Sequence, residues 1–120
     1  MNKPKAKHLQ TGEDAEKLAL RYLQQQGLQW ISSNYRCRYG ELDLIMKDAA
    51  SLVIVEVRFR KSQQFGGALA SVTRNKQAKI IAATQYFLST QKFNQLPIRF
   101  DVIAVTGDNE LNWIKNAFQT

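Results

Sequence analysis

Two adjacent runs dense in Val, Ile and Leu, Glu41 to Lys47 and Leu52 to Phe59, are separated only by Asp48-Ala49-Ala50-Ser51. Such residues favour a pleated, buried surface, and the short polar turn makes the two runs neighbours in a sheet. Each run nevertheless carries an acid, Asp43 in the first and Glu56 in the second. A carboxylate there loses hydration and needs a cation, a metal ion or a dense set of hydrogen bonds in return. Asp43 and Glu56 are therefore the first place to look for function.

The rest of the chain supplies a helical and sheet frame around that pair. Residues 1–10 are read as a flexible basic leader and residues 11–120 as one domain. From Thr11, a candidate N-cap, acids at Glu13, Asp14 and Glu16 suit the positive end of a helix. Ala15, Leu18, Ala19, Tyr22 and Leu23 then mark one buried face, and Gly27 closes the helix. Strands follow over Leu28 to Tyr35, Glu41 to Lys47 and Leu52 to Phe59. In the third strand Val53, Val55, Val57 and Phe59 face one way and Ile54, Glu56, Arg58 and Arg60 the other. Lys61 to Ser71, with Gly66-Gly67, reads as a mobile loop, and a second helix runs from about Val72 to Thr90. Its inward stripe is Ile80, Ala83, Thr84, Phe87 and Leu88, and the Thr84 hydroxyl is expected to bond back to the helix backbone. After Pro97 come a strand from Ile98 to Val105, a short strand from Leu111 to Ile114 and a terminal turn with Phe118. The element order is α–β–β–β–α–β–β.

Composition narrows the function classes. A single cysteine, Cys37, rules out an intramolecular disulfide or a multi-cysteine zinc site, and a single histidine, His8, leaves no histidine triad. The net charge of +7 points to a polyanion such as nucleic acid as partner. Arg36, Arg38, Arg60, Lys61, Lys76 and Lys79 are the candidate phosphate contacts. No run reaches membrane-spanning length and no signal-peptide core follows the leader, so a cytoplasmic protein without a membrane partner is expected.

On neighbouring strands two carboxylates about 4 Å apart repel by roughly 4 kcal/mol at an effective dielectric near 20. A divalent cation between them relieves the repulsion, and oxygen ligands suit Mg²⁺ or Mn²⁺. Such an ion can bind a phosphate and acidify an attacking water, while Arg58, on the face of Glu56, holds developing charge. These parts are consistent with phosphodiester hydrolysis.

Four segments carry a family resemblance: Gly12-Glu13-Asp14-Ala15-Glu16, Gly40-Glu41-Leu42-Asp43-Leu44-Ile45, Val55-Glu56-Val57-Arg58 and Arg99-Phe100-Asp101-Val102-Ile103. In this order they resemble the YraN family of uncharacterised bacterial proteins. That family is similar to restriction-endonuclease-like (PD-(D/E)XK) nucleases, and within them to archaeal Holliday junction resolvases. The resemblance implies an α/β fold, with a three-layer α/β/α core around a central mixed sheet. It implies Asp43 and Glu56 as metal ligands with Mg²⁺ or Mn²⁺, Glu16 completing a catalytic set through water, and DNA as the substrate. Arg58 stands where the family pattern has lysine, and arginine does not shed its proton, so it serves to hold phosphate and not as a base. Lys76 is the substitute lysine that the helical spacing offers. Junction-cleaving relatives imply a homodimer, although no apolar seam in the sequence compels one.

Rival readings remain open at this point. Asp43 and Glu56 also fit a buried network with Arg58, Arg60 or Arg99, and Glu16 a partner of the helix dipole. Asp101 is read as structural, beside Arg99, and Glu41 as solvated. Trp30, Tyr35, Tyr39 and Phe65 are able to stack bases but equally to pack. The function read from the chain is a nucleic-acid-binding, Mg²⁺-dependent endonuclease. The alternatives are a non-catalytic DNA- or RNA-binding module and a protein-interaction subunit with a basic surface.

Overall fold

A computed structural model describes residues 12–60, 65–91 and 95–120. The leader at residues 1–10, the cap at Thr11 and the cation Lys61 lie outside the described residues. The first helix, α1 (Gly12–Gln25), buries Ala15, Ala19 and Leu23 along the stripe expected from the 3.6-residue period. It ends at Gly27, whose φ of 97° lets Leu28 N turn back to the Leu23 carbonyl at 3.1 Å.

Three strands follow, β1 (Gln29–Cys37), β2 (Gly40–Asp48) and β3 (Ser51–Arg60). Helices α2 (Phe65–Ala70) and α3 (Arg74–Thr90) then lead to β4 (Ile98–Thr106) and β5 (Leu111–Phe118). The sheet has the order β1-β2-β3-β4-β5, antiparallel except between β3 and β4. Two parallel neighbours need a crossover, and the segment carrying α3 supplies it. Helix α3 covers one face, where Ile80, Ala83 and Phe87 pack on Ile45, Leu52, Ile54 and Phe100. Helix α1 covers the other, on Leu44, Met46, Val53, Val55, Val57 and Ile103. The result is a three-layer α/β/α arrangement around a mixed sheet, in the expected element order with one short helix added.

Local boundaries differ from the sequence reading for identifiable reasons. The glycine-rich stretch contains α2, which is anchored through tertiary contacts and not through helix propensity. Arg60 Nη2 donates to the Gly67 carbonyl at 3.2 Å, and Val72, just beyond the helix, is buried in the α3-side core. Helix α3 starts two residues later than expected because Thr73 caps it, its hydroxyl accepting from Lys76 N at 3.2 Å. Inside the helix the Thr84 hydroxyl donates to the Ile80 carbonyl at 2.8 Å, as the sequence suggested. Strand β5 runs on through Phe118 instead of ending near Ile114. Asn116 adopts φ 54° where the register to β4 shifts, which brings Phe118 onto Phe100 with ring centroids 4.9 Å apart.

Candidate active site

The pairing of β2 with β3 runs from Asp48↔Ser51 to Leu44↔Val55 and stops there. Asp43 and Glu56 would be the next pair. Instead the strands part, and Asp43 Oδ2 accepts the Val57 backbone N–H at 2.9 Å. The turn of β2 at this point is visible in its neighbours, since Leu42 joins the α3-side core and Leu44 the α1-side core. Residues two apart in a regular strand share a face, so the strand rolls over at Asp43. Across the sheet Asn34 takes φ 53° between the pairs Ser33↔Leu44 and Tyr35↔Leu42.

A split in the sheet is open to helices from both sides. Glu16 of α1, Asp43 of β2, Glu56 and Arg58 of β3, and Lys76 and Lys79 of α3 all line one cavity of about 390 Å³. Glu41, read from the sequence as solvated, lines it as well and pairs with Arg36 Nε at 3.3 Å. Gly40 forms part of the wall because the β1–β2 turn lies against α3. A Cβ on Gly40 would stand 3.1 Å from the Lys79 carbonyl oxygen, so the close approach needs glycine.

The charges of this cavity are incompletely compensated. Asp43 and Glu56 lie close enough for each to influence the other's ionisation. Burial first and the Asp43 charge second push the Glu56 pKa up to about 8, against the pull of Arg58 and Lys76. Burial also raises Asp43, despite the Val57 hydrogen bond and Arg58. Glu16 is raised by burial and then by Asp43, while a hydrogen bond from Asn34 acts in the opposite direction. Arg58 Nη2 stands 2.9 Å from Glu56 Oε2, an ion pair with both side chains less than one-fifth exposed. Its Nε is buried and has no hydrogen-bond partner among the described residues, whereas Nη2 is held by Glu56. The Nε–H is thus left for an acceptor that the described residues do not supply.

This donor set suits a hard divalent cation. Among the described residues no three Asp, Glu, His or Cys side chains form a complete ligand group. Asp43 and Glu56 would be the protein ligands, leaving the other positions to water or phosphate oxygens, as Mg²⁺ is commonly held.

The remaining candidates divide clearly. Lys76 and Lys79 face the cavity, whereas Arg36 and Arg38 are exposed beside the β1–β2 turn. Arg60 is tied to α2, as described above. Asp101 is separate from the cavity and fully buried. It accepts from Arg99 Nε at 2.9 Å, Trp113 Nε1 at 2.9 Å and Asn116 N at 2.9 Å, and so holds β4, β5 and the bulge together. Tyr35 packs on Phe87 with centroids 5.1 Å apart, and the Phe65 side chain lies outside what is described. Asn34 and Glu41 were missed as members of the site. Neither stands out in the sequence, because Asn34 reaches Glu16 only through tertiary packing and Glu41 resembles any acid at a strand start.

The chain resembles proteins from several bacteria along nearly its whole length. A protein of Saccharophagus degradans is 54% identical over 114 residues, covering 94% of this chain and 96% of its own. One from Pseudomonas fluorescens is 48% identical over 119 residues, covering 98% and 99%. One from Legionella pneumophila is 50% identical over 109 residues, covering 89% and 92%. All three bear the name UPF0102 protein, and the family model described as "Uncharacterised protein family UPF0102" matches residues 15–105, a span containing Glu16, Asp43, Glu56 and Arg58. The chain therefore belongs to the UPF0102 (YraN) family.

Proposed function

We propose that this protein is a Mg²⁺- or Mn²⁺-dependent phosphodiester hydrolase acting on nucleic acid, most readily DNA of branched or otherwise distorted structure. One observation carries the reading: two partly buried acids share a cavity with Arg58, whose buried Nε has no acceptor among the described residues. A divalent ion at such a pair supplies charge neutralisation at a phosphate and a more acidic water. Asp43 and Glu56 would hold it, with Glu56 in its ionised form. Arg58 Nε donates to a phosphate oxygen, fixing the scissile group against the acids. Lys76 and Lys79 draw the polyanion into the cavity mouth. Glu16 orients water on the α1 side of the cavity.

The test is cleavage of branched, single-stranded and duplex DNA with Mg²⁺ or Mn²⁺, comparing wild type with D43N and E56Q. Each substitution is expected to lower the rate by at least about 100-fold, the scale of losing a preorganised catalytic group. Cleavage that survives both substitutions together would remove the assignment.

A second reading, a nucleic-acid-binding module without cleavage, is favoured by one residue. Arg58 cannot lose a proton, so no side chain at that position can act as a base. Salt-sensitive binding without cleavage under either metal would select this reading. Cleavage gained in R58K would then identify Arg58 as the reason.

A further inference from the structure

Outside the acid cavity, the feature that packing does not explain is a pair of half-exposed tyrosines. Tyr39 and Tyr86 are each 41% exposed, with ring centroids 5.7 Å apart and planes inclined by 53°. The other tyrosine contacts serve the interior: Tyr35 meets Phe87 in the α3-side core, and Tyr22 meets Trp113 edge-on at 6.0 Å beside the α1-side core. The Tyr39–Tyr86 pair instead opens outward as a wedge. Ala82 and Gln85 complete the lining of an open depression of about 330 Å³. Arg38 reinforces it, with its guanidinium 5.0 Å from the Tyr39 centroid and Nη2 donating to the Tyr39 hydroxyl at 2.9 Å.

The wedge neighbours the acid cavity through two elements. Gly40, next in sequence to Tyr39, lines the acid cavity and abuts the Lys79 backbone. Lys79, Ala82 and Tyr86 follow one another at i, i+3 and i+7, on one face of α3. Tyr86 therefore lies about 10 Å along the helix from Lys79. A strand with a phosphate at Arg58 and Lys79 would carry a neighbouring base to the wedge.

Resting on the function proposed above, we propose that the Tyr39–Tyr86 wedge takes one unpaired nucleobase of the strand whose phosphate lies in the acid cavity. Three properties favour this occupant. The exposed outer surface of the ring pair offers stacking to any base, the Gln85 amide offers both a donor and an acceptor to a base edge, and the adjacent cations match the phosphates on either side. A base within a duplex is covered by its neighbours and cannot lie on these rings. The protein then prefers single-stranded or splayed segments to continuous duplex.

Fluorescence anisotropy without divalent metal separates this inference from cleavage. A labelled single-stranded oligonucleotide and its blunt duplex are titrated at fixed low salt. Y39A and Y86A are each expected to weaken single-strand binding about tenfold, the scale of one lost stacking contact. Duplex binding should change less than about twofold, and Y86F, which keeps the ring, should retain wild-type affinity to within about twofold. An oligonucleotide with abasic sites should lose as much affinity for wild type, with Y86A adding little further loss. Equal weakening of single strand and duplex, or no effect of either alanine, overturns the wedge while leaving the phosphate site standing. Failure of wild type to bind any nucleic acid at low salt overturns both.

Discussion

Two places in this sheet withdraw carboxylates wholly or partly from water, and they solve the problem in opposite ways. Asp101 is wholly inaccessible and is met by the Arg99 guanidinium, the Trp113 indole and the Asn116 amide. Its charge is matched by donors from its own strand and from β5, so it serves as a joint. Asp43 and Glu56 have one arginine between them, both have a raised pKa and leave that arginine with an unused Nε–H among the described residues. A buried polar group with its full set of partners stabilises a fold, and one held short of partners stores a capacity for something that arrives. The contrast sets the strand split, where a guanidinium Nε lacks an acceptor among the described residues, apart from the fully partnered Asp101.

The largest effect separating the two places should come from D101A. Removing the acid strands Arg99, the indole and a backbone N–H, and is expected to cost about 3–5 kcal/mol in urea unfolding. A loss below about 1 kcal/mol would show that the joint is not what holds β5.

The opposite sign is expected at the other place. The Glu56 pKa rises from 4.5 to about 8 on folding, so the folded chain binds the extra proton between those values. Stability from this group is complete below about pH 4.5 and falls as pH rises toward 8. E56Q removes that loss and should be more stable than wild type at pH 8 by at least about 1 kcal/mol, with the gap closing toward pH 4.5. Asp43 and Glu16 are shifted in the same direction, so a shallower slope of the same sign remains in the variant. A stability gain coupled to loss of metal response would mark Glu56 as held for function and not for folding. E56Q less stable than wild type at pH 8 would make the pair structural.

The smallest effect is expected at the rim. Arg36 pairs with Glu41 at 3.3 Å with its side chain 77% exposed, so R36A should change stability by less than about 1 kcal/mol. Any effect on DNA binding should appear as a reduced salt slope. An unchanged slope would remove Arg36 from the phosphate-contacting surface.

Much of this contrast was legible in the sequence. Apolar runs placed β2 and β3 side by side, and the alternation in β3 put Glu56 and Arg58 on one face. Asp101 beside Arg99 signalled a structural pair, but Trp113 and Asn116 could not be foreseen because they depend on the bulge in β5. The parting of the strands at Asp43 was hidden for a similar reason. It requires Asn34 at positive φ and a side chain replacing a strand partner, and neither leaves a periodic signature. Tyr39 was visible as an aromatic beside arginines, whereas Tyr86 was not visible as its companion. Forty-seven residues separate the two in sequence, and only the approach of Gly40 to Lys79 brings them together.

Crystals grown near pH 8 and soaked in Mn²⁺ give the most direct measurement of the strand split. Anomalous scattering should show one peak between Asp43 and Glu56, absent in E56Q. Wild-type crystals with no peak there in the presence of Mn²⁺ would contradict the cation site.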